Sequence, residues 1–275
     1  MKSSRYLIVP SAIGIIIFLV IPYVYIFKQS FFRIDGKWMG VSYYKSVLQN
    51  EAYVLAMKNT FLFIVICVPL LLCLSLLLAI TINKNTKIGM LFKTGALFPM
   101  VLPVASVAFF WKIMFHKNGL LNSILSIFSV SEIDWINTKY SFILLVVTYI
   151  WKNLGYCIIL WIAALATVPK NQYEAAMIEG ADRIQVFKHV VFPNIFPSAL
   201  TICLLSIINI FKIYREAYLI GGNYPNKHIY MIQHIFNNWF KTLDFNKLAA
   251  GSIIMTLFLF ILIFALQKMR GWQYE

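Results

Sequence analysis

Charge is scarce in this chain. Asp and Glu number 10 and Lys and Arg 24 among 275 residues, so only 12% of the sequence is charged. A soluble domain carries about 25% charged and about 45–50% apolar residues. Here 61% is hydrophobic and the mean hydropathy is +0.77, more apolar surface than a soluble fold of this size could hide, so the bilayer is the solvent for most of the chain. Cysteine is also rare: Cys67, Cys73, Cys157 and Cys203 lie in apolar stretches, without CxxC or metal-ligand spacing. They read as small hydrophobes and point to no metal or redox cofactor. No G-x-x-x-x-G-K-[ST] run occurs, which excludes ATP binding through a P-loop of the chain's own. G-x-S-x-G is missing too, so Gly251-Ser252 with His234 makes no convincing nucleophile–base set, and Ser252 reads as a helix-packing residue. No catalytic residue is expected.

The net charge of +14 does not point to nucleic acid, because the basic residues are scattered singly between apolar runs. They suit anionic lipid headgroups instead. A membrane helix needs about 20 mainly apolar residues, and six segments qualify: residues 6–27, 60–82, 89–115, 140–168, 194–219 and 248–267. The first is too long for a signal-peptide core and has no small-x-small cleavage pattern, so it reads as an uncleaved span. The fourth is interrupted near its middle by Lys152-Asn153. The expectation is a single all-α transmembrane domain over residues 1–275 with six transmembrane helices and both ends on one side. Positive charge is too evenly divided between the two sets of loops to say which side.

The loop at residues 169–193 is unlike the rest. Pro169 stops the fourth span, and Asn171 is a fair N-cap for a helix through Glu179. Gly180 supplies a left-handed end, and a second helix is expected over residues 181–190. Pro193 and Pro197 then open the fifth span, where proline is tolerated. Ala175 and Ala176 allow a close backbone approach by another protein, while Met177, Ile178, Ile184, Val186 and Phe187 offer apolar knobs for a partner's groove.

Glu174-Ala175-Ala176, Gly180, Val190, Phe192 and Pro193 resemble the E-A-A-x3-G-x9-I-x-L-P signature of membrane subunits of binding-protein-dependent ABC importers, with Val for Ile and Phe for Leu. Further stretches are similar to the carbohydrate-uptake branch, the maltose- and glycerol-phosphate-type permeases. These are Phe98-Pro99 with Pro103 and Gly119-Leu120-Leu121-Asn122, Trp151–Tyr156, and Phe211–Leu219 with Gly221-Gly222. The resemblance implies a type I ABC importer permease fold in a bacterial-type inner membrane, with both termini cytoplasmic and loop 169–193 as a cytoplasmic coupling helix. It implies a second homologous permease subunit, two ABC ATPase subunits that hold the ATP and Mg, and an extracytoplasmic solute-binding protein. The cargo it implies is a sugar or oligosaccharide. A secondary transporter or channel subunit working without an ATPase is the alternative.

Ionisable groups inside spans are costly and therefore candidates for function. Asn153 and Tyr156 share a face of the fourth span; Asn209, Lys212, Arg215 and Glu216 fall on one stripe of the fifth. Asn153, Tyr156, Asn209, Lys212 and Arg215 are the candidate substrate path, with Lys212 and Arg215 favouring an anionic sugar. The competing reading puts these cations at the outer interface, with Arg215 and Glu216 pairing or Lys212 snorkelling. Trp38, Tyr43, Tyr44, Tyr224, Tyr230, Trp239 and Phe240 in the outer loops suit either the solute-binding protein or an aromatic belt at the headgroups.

Overall fold

The computed structural model describes residues 9–33, 35–82 and 95–271, with side chains to residue 268. The expected loop at 83–88, the start of the third span and residues 6–8 of the first lie outside them. Among the described residues the architecture is all helical apart from one isolated bridge, Phe32 to Trp38. The helices are α1 (Val9–Gln29), α2 (Ser42–Leu48), α3 (Glu51–Ile82), α4 (Gly95–Val101), α5 (Val104–Met114), α6 (Leu120–Ile127), α7 (Tyr140–Leu165), α8 (Lys170–Ile178), α9 (Arg183–Gly221), α10 (Ile232–Lys241) and α11 (Phe245–Gly271). Five of them, α1, α3, α7, α9 and α11, are long and apolar enough to cross a membrane, and a sixth span results if α4 and α5 count as one.

Several expected spans change shape, each for a local reason. The third is broken: α4 and α5 meet at 102°. Pro103, with φ −56° and ψ 137°, cannot continue a helix and instead caps the start of α5. The fourth is an unbroken helix despite Lys152-Asn153, because Asn153 Nδ2 donates within the helix to the Tyr149 carbonyl at 2.8 Å and Lys152 finds an anion elsewhere. The second begins at Glu51, nine residues early. Its polar residues have partners there: Asn59 donates to the carbonyls of Lys227 at 2.6 Å and Tyr230 at 3.0 Å, and Thr60 Oγ1 accepts from Ile232 N at 3.0 Å.

The fifth span starts at Arg183, within what reads from sequence as a separate second helix of the loop, and opens into a turn at residues 211–213 before Tyr214–Gly221. Two wide π turns precede prolines, Ile16–Val20 before Pro22 and Phe187–Val191 before Pro193. A proline ring crowds the carbonyl four residues back, which belongs to Phe18 in one case and His189 in the other. Widening the helix at that residue lets the chain continue.

The chain divides into two compact units, and α3, α10 and α11 contribute to both. In the unit that takes residues up to Ala56 and Ile235–Leu262, Tyr53 stacks on Trp239 at 5.7 Å and donates to the Gly251 carbonyl at 3.2 Å. A Cβ on Gly251 would meet Trp239 at 2.9 Å, so glycine is what lets these rings close. Asn246 Nδ2 donates to the carbonyls of Gln29 and Phe32 at 2.9 and 2.7 Å and ties down the end of α1.

In the other unit, the Phe192–Ile210 part of α9 packs on α7, and Tyr214–Gly221 packs on α5. The fully buried Tyr149 donates to the Ser206 carbonyl at 2.7 Å, and Trp161 Nε1 donates to Ser75 Oγ at 3.0 Å. At Gly155, a Cβ would lie 1.8 Å from the Ala96 carbonyl oxygen, so α4 crosses α7 backbone to backbone. Asn122 organises the 116–139 loop: its amide donates to Lys117 O and Ile133 O, and its oxygen accepts from Trp135 Nε1 at 3.0 Å.

Candidate functional site

The segment at residues 169–193 is built almost entirely by short-range rules. The N-cap of α8 is Pro169 rather than Asn171. Proline holds φ at −64° and lacks a donor to leave unsatisfied, while the Asn171 side chain turns back to accept from Gln172 N at 3.0 Å. At the far end Gly180 takes φ +83°. Gly180 N donates to Met177 O at 3.2 Å and Ala181 N to Ala176 O at 3.0 Å, the crossed pair that closes a helix through a left-handed residue.

Two residues on, Asp182 caps α9 reciprocally: its carboxylate accepts from Gln185 N at 2.7 Å, and Gln185 Oε1 accepts from Asp182 N at 2.8 Å. Asn194 Nδ2 donates to Gln172 Oε1 at 3.1 Å and so ties α8 to the base of α9. The result is a rigid helix–Gly–helix corner.

The expected knobs divide. Met177, Ile178 and Ile184 are exposed, Ile178 at 87% and Ile184 at 78%. Val186 is buried and Phe187 turns inward, where both line a cavity of about 550 Å³ with Ile80, Leu165, Tyr173 and Arg183. Glu174, Ala175, Gly180 and Pro193 are all exposed and Ala176 is half-buried. The corner thus presents a small-residue surface with two protruding apolar side chains and a carboxylate.

The second cluster sits midway along α7, opposite the upper part of α9. A cavity of about 260 Å³ is lined there by Tyr149, Lys152, Asn153, Asn209, Lys212, Arg215 and Glu216, together with Met100, Leu102 and Pro103 from the α4–α5 bend. Four of the five sequence candidates converge on it; Tyr156 is not among the lining residues. Glu216 does not pair with Arg215. It is 1% exposed and binds Lys152 Nζ in a buried ion pair. Its second oxygen, Oε2, has no partner among the described residues. Lys212 Nζ donates to Asn209 Oδ1 at 2.8 Å.

The role of Glu216 toward Lys152, and those of Tyr149 and Gly155, are absent from the sequence reading. A signal for the first does exist: Glu216 is the one carboxylate inside any of the six spans expected from sequence, and a lysine at mid-span needs an anion.

Among the loop aromatics, Trp38, Tyr224 and Phe240 are exposed, at 60%, 76% and 59%, with Trp38 stacked on Phe31. Tyr230 and Trp239 are core residues at 7% and 6%. Cys73 is exposed, whereas Cys67 and Cys157 are buried.

Comparison with known proteins agrees with this geometry. The family described as "Binding-protein-dependent transport system inner membrane component" matches residues 71–272. The chain is 28% identical to the arabinooligosaccharides transport system permease protein AraP of Bacillus subtilis (strain 168), over 98% of this chain and 88% of that protein. It is 26% identical to the trehalose/maltose transport system permease protein MalF of Thermococcus litoralis, over 92% and 88%. Among solved structures, a bacterial ABC transporter involved in the import of the acidic polysaccharide alginate superposes with a TM-score of 0.84 at 20% identity, covering 98% of this chain and 94% of that one. A second, the bacterial alginate ABC transporter in complex with alginate pentasaccharide-bound periplasmic protein, gives 0.82 at 19% identity, covering 98% and 93%.

Proposed function

Because the chain belongs to the family of binding-protein-dependent transport system inner membrane components, and is thus the multi-pass permease subunit of an ATP-driven importer, we propose that it forms half of a pore for a carbohydrate handed over by an extracytoplasmic solute-binding protein. The other half is a second, homologous permease subunit. Two ABC ATPase subunits hold and hydrolyse the ATP with its Mg, so this chain binds no cofactor and catalyses no reaction. Both termini and the 169–193 corner face the cytoplasm. The carbohydrate cargo is supported by the relatives named for arabinooligosaccharides and for trehalose and maltose.

The observation that carries the coupling role is the exposed, doubly capped corner with Ile178 and Ile184 protruding from it. Large apolar side chains held outside the bilayer on a rigid mount suit a partner's groove. The mount also transmits. The corner is fused through Asp182 and the Gln172–Asn194 bond to α9, and α9 runs from Arg183 to Ile210 before its turn, about 40 Å of helix. The polar cavity lies at the far end of that lever, so movement of the ATPases shifts Asn209, Lys212, Arg215 and Glu216 against the fixed partners on α7. Access to the cavity then alternates with the nucleotide cycle.

Co-purification tests the reading. With Glu174→Lys and Gly180→Pro combined, the ATPase subunits should be lost from the purified complex and uptake should stop. Carbohydrate uptake that continues in vesicles free of any ATPase would overturn it.

A further inference from the structure

The polar cavity has an unbalanced charge account. Three cations, Lys152, Lys212 and Arg215, face one carboxylate, Glu216. Lys152 and Glu216 are held to each other and cancel. Lys212 is held by the neutral amide oxygen of Asn209, and Arg215 has no carboxylate within ion-pair distance among the described residues. Two positive charges therefore remain uncompensated at a cavity whose opposite wall, Lys152 and Asn153, is the midpoint of a membrane-spanning helix. Surplus charge at such a depth is costly unless a counter-ion arrives.

Resting on the importer reading, we infer that the counter-ion is the cargo: the cavity takes one acidic unit of a carbohydrate, with the anionic group, carboxylate or phosphate, set between Lys212 and Arg215. The volume of about 260 Å³ is just under the usual range of about 300–1,000 Å³ for small-molecule pockets, which fits one sugar unit of a chain rather than an oligosaccharide. Glu216 gives the site direction. By neutralising Lys152 it leaves the positive surplus on the Lys212 and Arg215 wall alone, which is where the anionic group is set.

The test uses the complete complex, with its partner permease and ATPases, in nanodiscs of zwitterionic lipid. Binding of a glucuronate disaccharide is compared with binding of its neutral glucose counterpart by titration calorimetry. The acidic sugar should bind at least about tenfold more tightly. Lys212→Gln and Arg215→Gln should each remove most of that preference by weakening the acidic sugar far more than the neutral one, and Lys212→Arg should restore it. Equal affinity for both sugars, or a preference that survives both Gln variants, overturns the inference. It also falls if the Gln variants leave the sugar preference intact and instead abolish retention of anionic lipid in discs that contain it, because the cations then serve a headgroup. None of these outcomes touches the importer reading, which stands or falls on whether ATP-driven uptake of any carbohydrate requires the bound ATPases.

Discussion

The two ends of α9 are built in opposite ways. At the 169–193 corner all but one of the defining contacts span a few residues: Tyr173 to Pro169, Gly180 to Met177, Asp182 to Gln185, with Gln172 to Asn194, 22 residues apart, the exception. At the polar cavity the defining contacts cross the chain: Lys152 to Glu216, Tyr149 to Ser206, Gly155 to Ala96. The corner keeps its shape through backbone conformation and leaves side chains such as Ile178 and Ile184 exposed. The cavity keeps its shape through packing and turns its side chains on each other. Damage should therefore read out differently: loss of stability at the cavity, loss of partner binding at the corner.

The largest effect is expected at the buried ion pair. Glu216→Leu leaves the half-buried Lys152 at mid-helix without its counter-charge and should cost about 3 kcal/mol, measured by SDS-titration unfolding of the purified complex. The double variant Lys152→Met with Glu216→Leu should recover most of the loss, because an apolar pair of similar volume replaces two charges. A Glu216→Leu protein as stable as the parent would erase the contrast between the regions.

Acidification separates them next. His234 is fully buried, edge-on to Tyr214 at 4.8 Å, and its Nδ1 accepts from Met231 N at 3.1 Å. Burial disfavours its charged form and pushes its pKa down from 6.5 to about 4. Between those values the unfolded chain binds a proton that the folded chain refuses, so stability falls as pH falls from 6.5 and levels off near 4. Over that window the loss is at most about 3 kcal/mol. His234→Gln, whose amide oxygen can still accept from Met231, should flatten the profile, whereas a profile unchanged by that substitution would place the titration elsewhere.

Gly155 tests packing alone. A methyl group there collides with the Ala96 backbone, and Gly155→Ala should cost about 1–3 kcal/mol by overpacking. It should also displace the α4–α5 bend, reducing cavity binding more than ATPase retention. The reverse order of effects would mean that the bend is not part of the cavity wall.

This division also explains what the sequence revealed. The corner was legible because caps and left-handed glycines are short-range chemistry: the positions of Gly180 and the α8 helix follow from neighbours, and only the N-cap shifted, from Asn171 to Pro169. The spans were legible from apolar length, but not their bends. Pro103 breaks the third whereas Pro69 passes unbroken through α3, and nothing in the residues flanking them tells the two apart. At the cavity, the stripe Asn209, Lys212, Arg215, Glu216 was visible, and the partner of Glu216 was not. Adjacency in sequence made Arg215 the partner to consider, and the actual one lies 64 residues away. Tyr156 shares a face with Asn153 by periodicity, yet the cavity closes one turn short of it.

The smallest expected effect on stability falls on the corner, and it isolates backbone conformation from space. Gly180 has φ +83° and no atom within 4 Å of a Cβ placed on it, the inverse of Gly155, which has ordinary helical geometry and no room at all. Gly180→Ala should thus cost only the left-handed penalty of about 1–2 kcal/mol, and Gly180→Asn less, because Asn tolerates that region better. Either variant tilts α8 against α9 without touching the cavity, so the thermal midpoint of the complex should fall by only a few degrees while ATPase retention drops in the order of the penalty, Ala more than Asn. Equal retention for Gly, Ala and Asn would show that the exposed Ile178 and Ile184 bind the partner regardless of the angle at which the corner presents them.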